Sequence, residues 1–191
     1  YCKWLSWLWI NYAWKKYLSD QGNAIFDLKK YFLENNRYPK LSELDHYNFI
    51  FSAEPTHVGI GKILRDELGN AKNDYPPESI AEAHSVDRMI LYTKVIMPAL
   101  KNNKIVIQDR GLSTSLAYQP CQDATLTLQK VSQYVGNRLA AEHRPDHLVI
   151  VDIDPQVAYD RLTSRHDKQD NAVFEKLDFM KKAVHKFKAA E

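Results

Sequence analysis

Several signals are scarce in this chain of 191 residues, and each scarcity removes a class of explanation. There are two cysteines, Cys2 and Cys121, with no CxxC pair and no His/Cys cluster, which argues for a reducing compartment and against a structural zinc site. An excess of one charge is also missing. The 26 basic and 24 acidic side chains leave a formal charge of +2, so there is no general polyanion-binding surface and no nucleic-acid partner is expected. Any phosphate chemistry must then come from a few placed arginines. No apolar run is suited to a bilayer: the N-terminal YCKWLSWLWINYAW is too short, is interrupted by Lys3 and Asn11, and lacks the small-residue cleavage site of a signal peptide. Internal repeats and low-complexity tracts are absent as well. The expectation is a cytoplasmic chain with no membrane span.

What is present is ordinary for a globular domain: 45% hydrophobic and 26% charged residues, enough for one domain over residues 1–191 with a real core. All four tryptophans, Trp4, Trp7, Trp9 and Trp14, fall in the first fourteen residues. Trp4, Trp7, Leu8, Trp14 and Leu18 recur at helical spacing and Gly22 follows, which predicts a core-facing first helix; an interfacial or partner-binding helix is the alternative.

Beyond Gly22 the pattern alternates strand and helix. Residues 23–28 and 47–55 are β-rich, and HVGIGKILRDELG (57–69) reads as a helix with Ile60, Ile63, Leu64 and Leu68 on its apolar side. A long amphipathic helix runs over 80–100, the apolar strand KIVIQDR follows from 104, and another helix covers about 126–139. HLVIVDIDP (147–155) reads as a second fully buried strand, with Pro155 opening a helix that carries Val157, Ala158 and Leu162. This order predicts an α/β protein with a parallel sheet flanked by helices, and in open sheets of that kind ligands bind at the carboxyl ends of the strands.

Asp109 and Arg110 stand where KIVIQ leaves the sheet, so the pair faces a cleft and a ligand; an ion pair that merely caps the strand is the alternative. Arg88, on the preceding helix, lies four residues after His84 and shares its face. An arginine fork matches phosphate oxygens, and an acid beside it can orient a metal ion.

Four segments in register resemble the thymidylate kinase family of nucleoside monophosphate kinases: FSAEPTHVGIGKILRDEL, AHSVDRMILYTKVIMPALKNNKIVIQDRGLSTSLAYQ, RPDHLVIVDIDPQVAYDRL and SRHDKQDNAVFEKLDFMKKAVHKF. They cover residues 51–187 almost without interruption. The resemblance implies a three-layer P-loop kinase-like fold, with ATP and Mg2+ as cofactors and transfer of the γ-phosphate to dTMP or a related deoxypyrimidine monophosphate. A homodimer is one expected assembly. Carried over by matched position, Arg110 would hold the acceptor phosphate, and Asp109 would organise the metal or the reacting groups. Arg88 would reach the thymine edge, with His84 in place of the aromatic residue on which the base stacks. Ser115 and Tyr118 would contact the base and crowd the 2′ position of the sugar, and Gln119 would complete the family's Tyr-Gln pair, with Pro120 replacing the usual glycine. Glu54 and Pro55 would form the Glu-Pro turn, with Ala53 where the family has an arginine. Arg161 and Arg165, four apart in a lid region of about 161–175, would close over ATP phosphates; a solvated helix face is the alternative. Bland readings exist for the others too: Ser115 as a helix cap, Tyr118 as a core aromatic, Glu54-Pro55 as a turn without ligand.

The family's phosphate loop is not recognisable, for no GxxxxGK[ST] occurs; WINYAWKK has the spacing with Trp9 and Trp14 at both glycine positions. WKKYLSDQGNAIFDL is similar to the family's first helix, glycine stop and second strand, so the first strand and phosphate loop are expected upstream of Tyr1. The chain also stops before the family's last strand and helix, so the fold is expected to be incomplete at both ends. Tyr1–Glu191 alone is then expected to bind ATP·Mg poorly and to turn over little dTMP. Two other functions compete: a nucleotide-binding homologue without turnover, and an interaction module built on the Trp-rich segment. A deoxynucleoside kinase is the nearest enzymatic alternative, but a neutral acceptor has no phosphate for Arg88 and Arg110 to hold.

Overall fold

A computed structural model describes residues 3–70, 72–164 and 176–188. Helix α1 spans Lys3–Asp20, and Gly22, at φ 76°, turns the chain out of it. Three parallel strands follow in the order β1-β2-β3: β1 (Ile25–Asp27), β2 (Phe49–Ala53) and β3 (Ile105–Asp109). Ile25 is level with Phe49, Phe49 with Ile105, and Ala53 with Asp109, which brings the carboxyl ends of β2 and β3 together. Among the described residues β2 is the central strand, and its Ile50, Phe51 and Ser52 are buried.

Helix α2 (Leu28–Asn35) starts at Asp27, whose side chain accepts the Lys30 N–H, and ends at Asn36 in the left-handed region. Phe26, Leu28, Phe32, Ile50, Leu91 and Val95 form the heart of the main core, which joins the sheet to α2 and the long helix. That long helix runs from Pro77 to Lys101 as α4 (Pro77–Leu91), a wide turn at Tyr92–Ile96, and α5 (Met97–Lys101). The segment after β2 forms α3 (Gly59–Ile63), continued by a wide turn at Leu64–Leu68. Helix α6 (Leu112–Gln122) leaves the end of β3, followed by α7 (Leu128–Gln133), α8 (Val135–Glu142), α9 (Pro155–Thr163) and α10 (Leu177–Lys188). Helix α8 meets α4 at Gly136, where a Cβ would collide with the Ser85 carbonyl, and the Gly136 N–H donates to Ser85 Oγ at 2.8 Å. Among the described residues no helix is long and apolar enough to cross a membrane.

Several sequence expectations are corrected. HLVIVDIDP forms no strand, and Leu148 and Val149 are exposed. A buried parallel strand needs ladder neighbours, and among the described residues β3 pairs only with β2. Ile105 is also exposed, so β3 is not buried throughout. The helix expected over 126–139 is broken at Tyr134, whose ψ of 140° separates α7 from α8. Ile63 points outward while Leu64 is buried.

Trp14 is 50% exposed, beside exposed Tyr12 and Tyr17. The inner face of α1 carries Asn11, Lys15 and Leu18 instead, because the surface it meets includes the acids at the ends of β1 and β3. The side chains of Trp4, Trp7, Leu8 and Trp9 lie outside the described residues.

Candidate functional site

A small cleft, partly open to solvent, lies at the carboxyl ends of β2 and β3. The sequence reading placed Glu54, Pro55, His84, Arg88, Arg110, Ser115, Tyr118 and Gln119 in one site, and all of them line this cleft. Thr114 and Gln122 line it as well and were missed. Both lie within α6, and their helical spacing to Tyr118 (i+4 from Thr114, i−4 from Gln122) was the available signal.

Arg88 is the centre of a buried polar network, at 2% exposure. Its Nη2 donates to Glu54 Oε2 at 2.5 Å and to Ser115 Oγ at 2.9 Å, and its Nη1 donates to Asn137 Oδ1. Glu54 Oε1 accepts from Gln108 Nε2 at 2.7 Å, and the Glu54 N–H donates to the Asp109 carbonyl. One guanidinium thus ties together the ends of β2 and β3 with α4, α6 and α8. Burial pushes the Glu54 carboxyl above the usual range, against the pull of Arg88 and Gln108. Ser115 lies inside α6, not at its cap, and serves to orient Arg88. Three polar atoms of the lining are buried without a partner: Arg88 Nε, Gln119 Oε1 and Gln122 Oε1. An unpaired buried donor and acceptors in one cleft are groups that a bound molecule can satisfy.

Beneath the cleft, Asp87 accepts from the Thr56 N–H at 2.8 Å and from Thr56 Oγ1 at 2.6 Å, fixing the turn after Pro55. Arg65, on the far side of that turn, donates from Nε to the Pro55 carbonyl at 2.9 Å and to the Thr56 carbonyl at 3.1 Å. Burial, and then the charge of Arg110, lowers Arg65 to about 10. Arg65 therefore supplies a cation near Arg110 although Ala53 has none to offer. The sequence signal was Arg65 itself, on the helix that follows the Glu-Pro turn.

Arg110 has φ 65°, a left-handed conformation that a side chain with a Cβ adopts at a cost of order 1 kcal/mol. The residue is held there by the turn from β3 into α6, and the turn aims it at the cleft. Tyr118 has two sides: its ring packs edge-on against Phe179 at 5.3 Å and Phe187 at 6.0 Å, and it also lines the cleft. The core-aromatic and cleft readings of Tyr118 both describe it.

Burial, reinforced by the charges of Arg88, Arg110 and Arg65, lowers His84 to about 3, so the imidazole is neutral at neutral pH. A neutral ring on the wall of the cleft is suited to stacking. The depressed value also sets a pH dependence. The unfolded imidazole gains its proton near pH 6.5 and the folded one not until about 3, so the unfolded state binds more protons in between. The His84 contribution to stability is full above pH 6.5 and is lost as pH falls from 6.5 towards 3. His84→Phe is accordingly expected to flatten the acid side of the stability profile, checked by urea unfolding midpoints from pH 7 to 4. A profile identical to that of the parent would contradict a neutral buried His84.

Asp109 stands next to the cleft and does not line it. Its Oδ2 accepts from Asn11 Nδ2 at 3.1 Å, while Oδ1 is buried with no hydrogen-bond partner. Among the described residues no cluster of three or more acidic, histidine or cysteine side chains could hold a metal on its own. Mg2+ keeps several waters and is bound by one or two carboxylates together with nucleotide phosphates, and the enclosed Asp109 Oδ1 alone does not make such a site. Arg161 is exposed on α9 and away from the cleft lining. Arg165, and with it most of the 161–175 lid region, lies outside the described residues.

A parallel sheet with a polar, arginine-lined cleft at its carboxyl edge is the architecture of an α/β protein with a ligand site at its strand ends. The family described as thymidylate kinase matches residues 35–190, and the chain belongs to it. It is 32% identical over 149 residues to a thymidylate kinase of Aster yellows witches'-broom phytoplasma (strain AYWB), covering 76% of this chain and 69% of that one. A thymidylate kinase of Bifidobacterium longum (strain DJO10A) is 30% identical over 130 residues, 64% of this chain and 61% of the relative. One from Clostridium novyi (strain NT) is 29% identical over 159 residues, 81% and 71% respectively. The chain thus spans between about three fifths and seven tenths of the length of these relatives. The family match begins at residue 35, so α1 and β1 fall outside it and the match does not extend to the resemblance drawn for residues 14–28.

Proposed function

We propose that the cleft is the acceptor site of a dTMP kinase, with ATP as phosphate donor and Mg2+ as its companion ion. The observation that carries this reading is the convergence of Arg88, Arg110, His84, Ser115, Tyr118 and Gln119 on one cleft, from separate segments of the sequence. Arg110, with Arg65 behind it, offers the charge for the acceptor phosphate. Arg88 Nε–H suits the O4 acceptor of thymine, and the Gln119 and Gln122 amides face the rest of the imide edge, whose N3–H is a donor. His84 forms a stacking wall and Tyr118 a wall for the sugar. When bound, Mg2+ would neutralise charge on the donor phosphates, and Asp109, at the end of β3, is the acid that the family resemblance assigns to it.

The reaction is mostly positioning and charge neutralisation, so the part of these residues is to bind, orient and shield the acceptor. One observation favours a second reading, a nucleotide-binding protein with little turnover. Among the described residues the strands run on into Leu28, the Glu54-Pro55 turn and Arg110-Gly111, and no glycine-rich phosphate cradle follows any of them. A coupled ADP-release assay with dTMP, run beside dTMP calorimetry, separates the readings. Turnover supports the kinase, binding without ADP release supports the second reading, and absence of both rejects the acceptor site.

The sugar wall gives a separate expectation. Tyr118→Ala should narrow the affinity gap between dTMP and the corresponding ribonucleotide, because the ring held by Phe179 and Phe187 cannot yield to a 2′-hydroxyl. Paired calorimetric titrations check this, and an unchanged ratio would return Tyr118 to a purely packing role.

A further inference from the structure

Asn137 reaches Arg88 from α8, behind the cleft, and is fully buried. Its two amide atoms have different partners. Nδ2 donates to the Val131 carbonyl at 2.7 Å, across the break at Tyr134 that ends α7, and Oδ1 accepts from Arg88 Nη1. The amide cannot be reversed, because the opposite orientation would set Oδ1 against a carbonyl and Nδ2 against a guanidinium. One residue earlier, Gly136 lies on Ser85 of α4, three residues before Arg88, where a Cβ would meet the Ser85 carbonyl. That close approach lets so short a side chain reach the arginine.

The other hold on the guanidinium is one-sided. Glu54 and Ser115 both accept from Nη2, and the second Glu54 oxygen is taken by Gln108, so the Arg88–Glu54 pair is not a two-bond fork. A group anchored at one nitrogen pivots about it, and an acceptor at Nη1 stops the pivot. We propose that Asn137 is a specificity-determining positioning residue: by holding Nη1 it fixes the angle at which Arg88 meets the pyrimidine edge, and so the preference for a 4-oxo over a 4-amino base. A guanidinium only donates; held in place it faces the O4 acceptor of thymine and opposes the amino hydrogens of cytosine. Free to pivot, it turns to the neighbouring N3, which is an acceptor in cytosine. The inference rests on the reading of Arg88 as the group that meets the base.

The test is titration calorimetry of the full chain and its variants with dTMP, dCMP and thymidine, at a temperature where circular dichroism shows each one folded. The parent is expected to favour dTMP over dCMP by about 10²-fold, the effect of setting donor against donor. Asn137→Ala is expected to shrink that gap to about tenfold. Its ratio of dTMP to thymidine affinity, which belongs to Arg110, should stay within about twofold of the parent's. Asn137→Asp keeps an acceptor for Nη1 and should hold the gap near the parent value. Asn137→Ser is too short to reach but leaves room for a water, so it should follow alanine and supplies the same measurement if alanine does not fold. An unchanged dTMP-to-dCMP ratio in the alanine or serine variant overturns the proposal, and so does a gap lost in Asn137→Asp. Equal weakening of both nucleotides overturns it too, since a purely structural part for Asn137 would cost both alike. A parent that binds dTMP and dCMP equally, or binds neither, defeats the base reading of Arg88 and this inference with it; a parent that discriminates beside variants that discriminate as well defeats this inference alone.

Discussion

Replacing Arg88 with methionine is expected to lower the unfolding free energy by about 3–5 kcal/mol and to remove measurable dTMP binding. The ion pair that Arg88 makes with Glu54 has both side chains almost wholly buried, at 2% and 5% exposure. Removing one partner leaves the other carboxylate in a medium that cannot solvate it, and here Ser115 and Asn137 lose a donor as well. The number is large because the loss concentrates at one residue. Replacing both members, Arg88→Met with Glu54→Leu, is expected to recover much of the stability, since a desolvated pair contributes little net beyond its apolar equivalent. It should not recover binding, because the donor facing the base edge is gone. Urea unfolding of the single and double variants, with dTMP calorimetry on each, separates the two roles. A single variant as stable as the parent would show that the pair is not the buried hub of the fold.

The second large effect belongs to Arg110. Arg110→Ala is expected to weaken dTMP binding by about 2–4 kcal/mol, roughly 30- to 700-fold, because a guanidinium forking a desolvated phosphate makes charge-assisted hydrogen bonds that water does not replace. The left-handed backbone at φ 65° strains arginine and alanine alike, so this substitution relieves none of that cost. Arg110→Gly is a useful companion because glycine occupies that conformation freely. It should match alanine in lost affinity and exceed it in stability. Some binding should survive in both, since Arg65 leaves positive charge near the phosphate position. Calorimetry showing equal dTMP affinity in parent and alanine variant would reject the assigned role.

Much of the cleft was legible because its residues sit at positions that local rules control. His84 and Arg88 are four apart on a helix whose apolar phase is plain, so their shared face followed from spacing alone, although the helix starts at Pro77 and not at residue 80 as its pattern suggests. Arg110 follows a β-branched run at the end of a parallel strand, the edge where open sheets place their clefts, while Asp109 beside it does not line the cleft. Arg65 was harder to see, because its importance lies in two carbonyls of the turn that precedes it, and only folding brings them together. Asn137 was invisible for the same reason: nothing in NRLAAE announces a partner for an arginine 49 residues upstream.

The failures have physical causes. An apolar stretch such as 147–153 has strand propensity, but a ladder depends on what lies beside it, and propensity carries no information about neighbours. Tyr134 interrupts an otherwise helical pattern through its own extended backbone, and the Asn137 side chain then bonds the Val131 carbonyl across the break. For α1, periodicity placed a hydrophobic face correctly at Leu18. It misjudged Trp14, because the surface under this helix presents Asp27 and Asp109 and so selects Lys15 and Asn11.

The central claim is that this cleft takes a deoxypyrimidine monophosphate by its phosphate as well as its base. Titration calorimetry of the chain with dTMP and with thymidine, at neutral pH and in separate runs, tests it most directly. The account predicts binding of dTMP at one site per chain and thymidine weaker by about 10²-fold, the difference being the charge-assisted contacts at Arg110. Equal affinity for the two ligands, or no binding of dTMP, would contradict it.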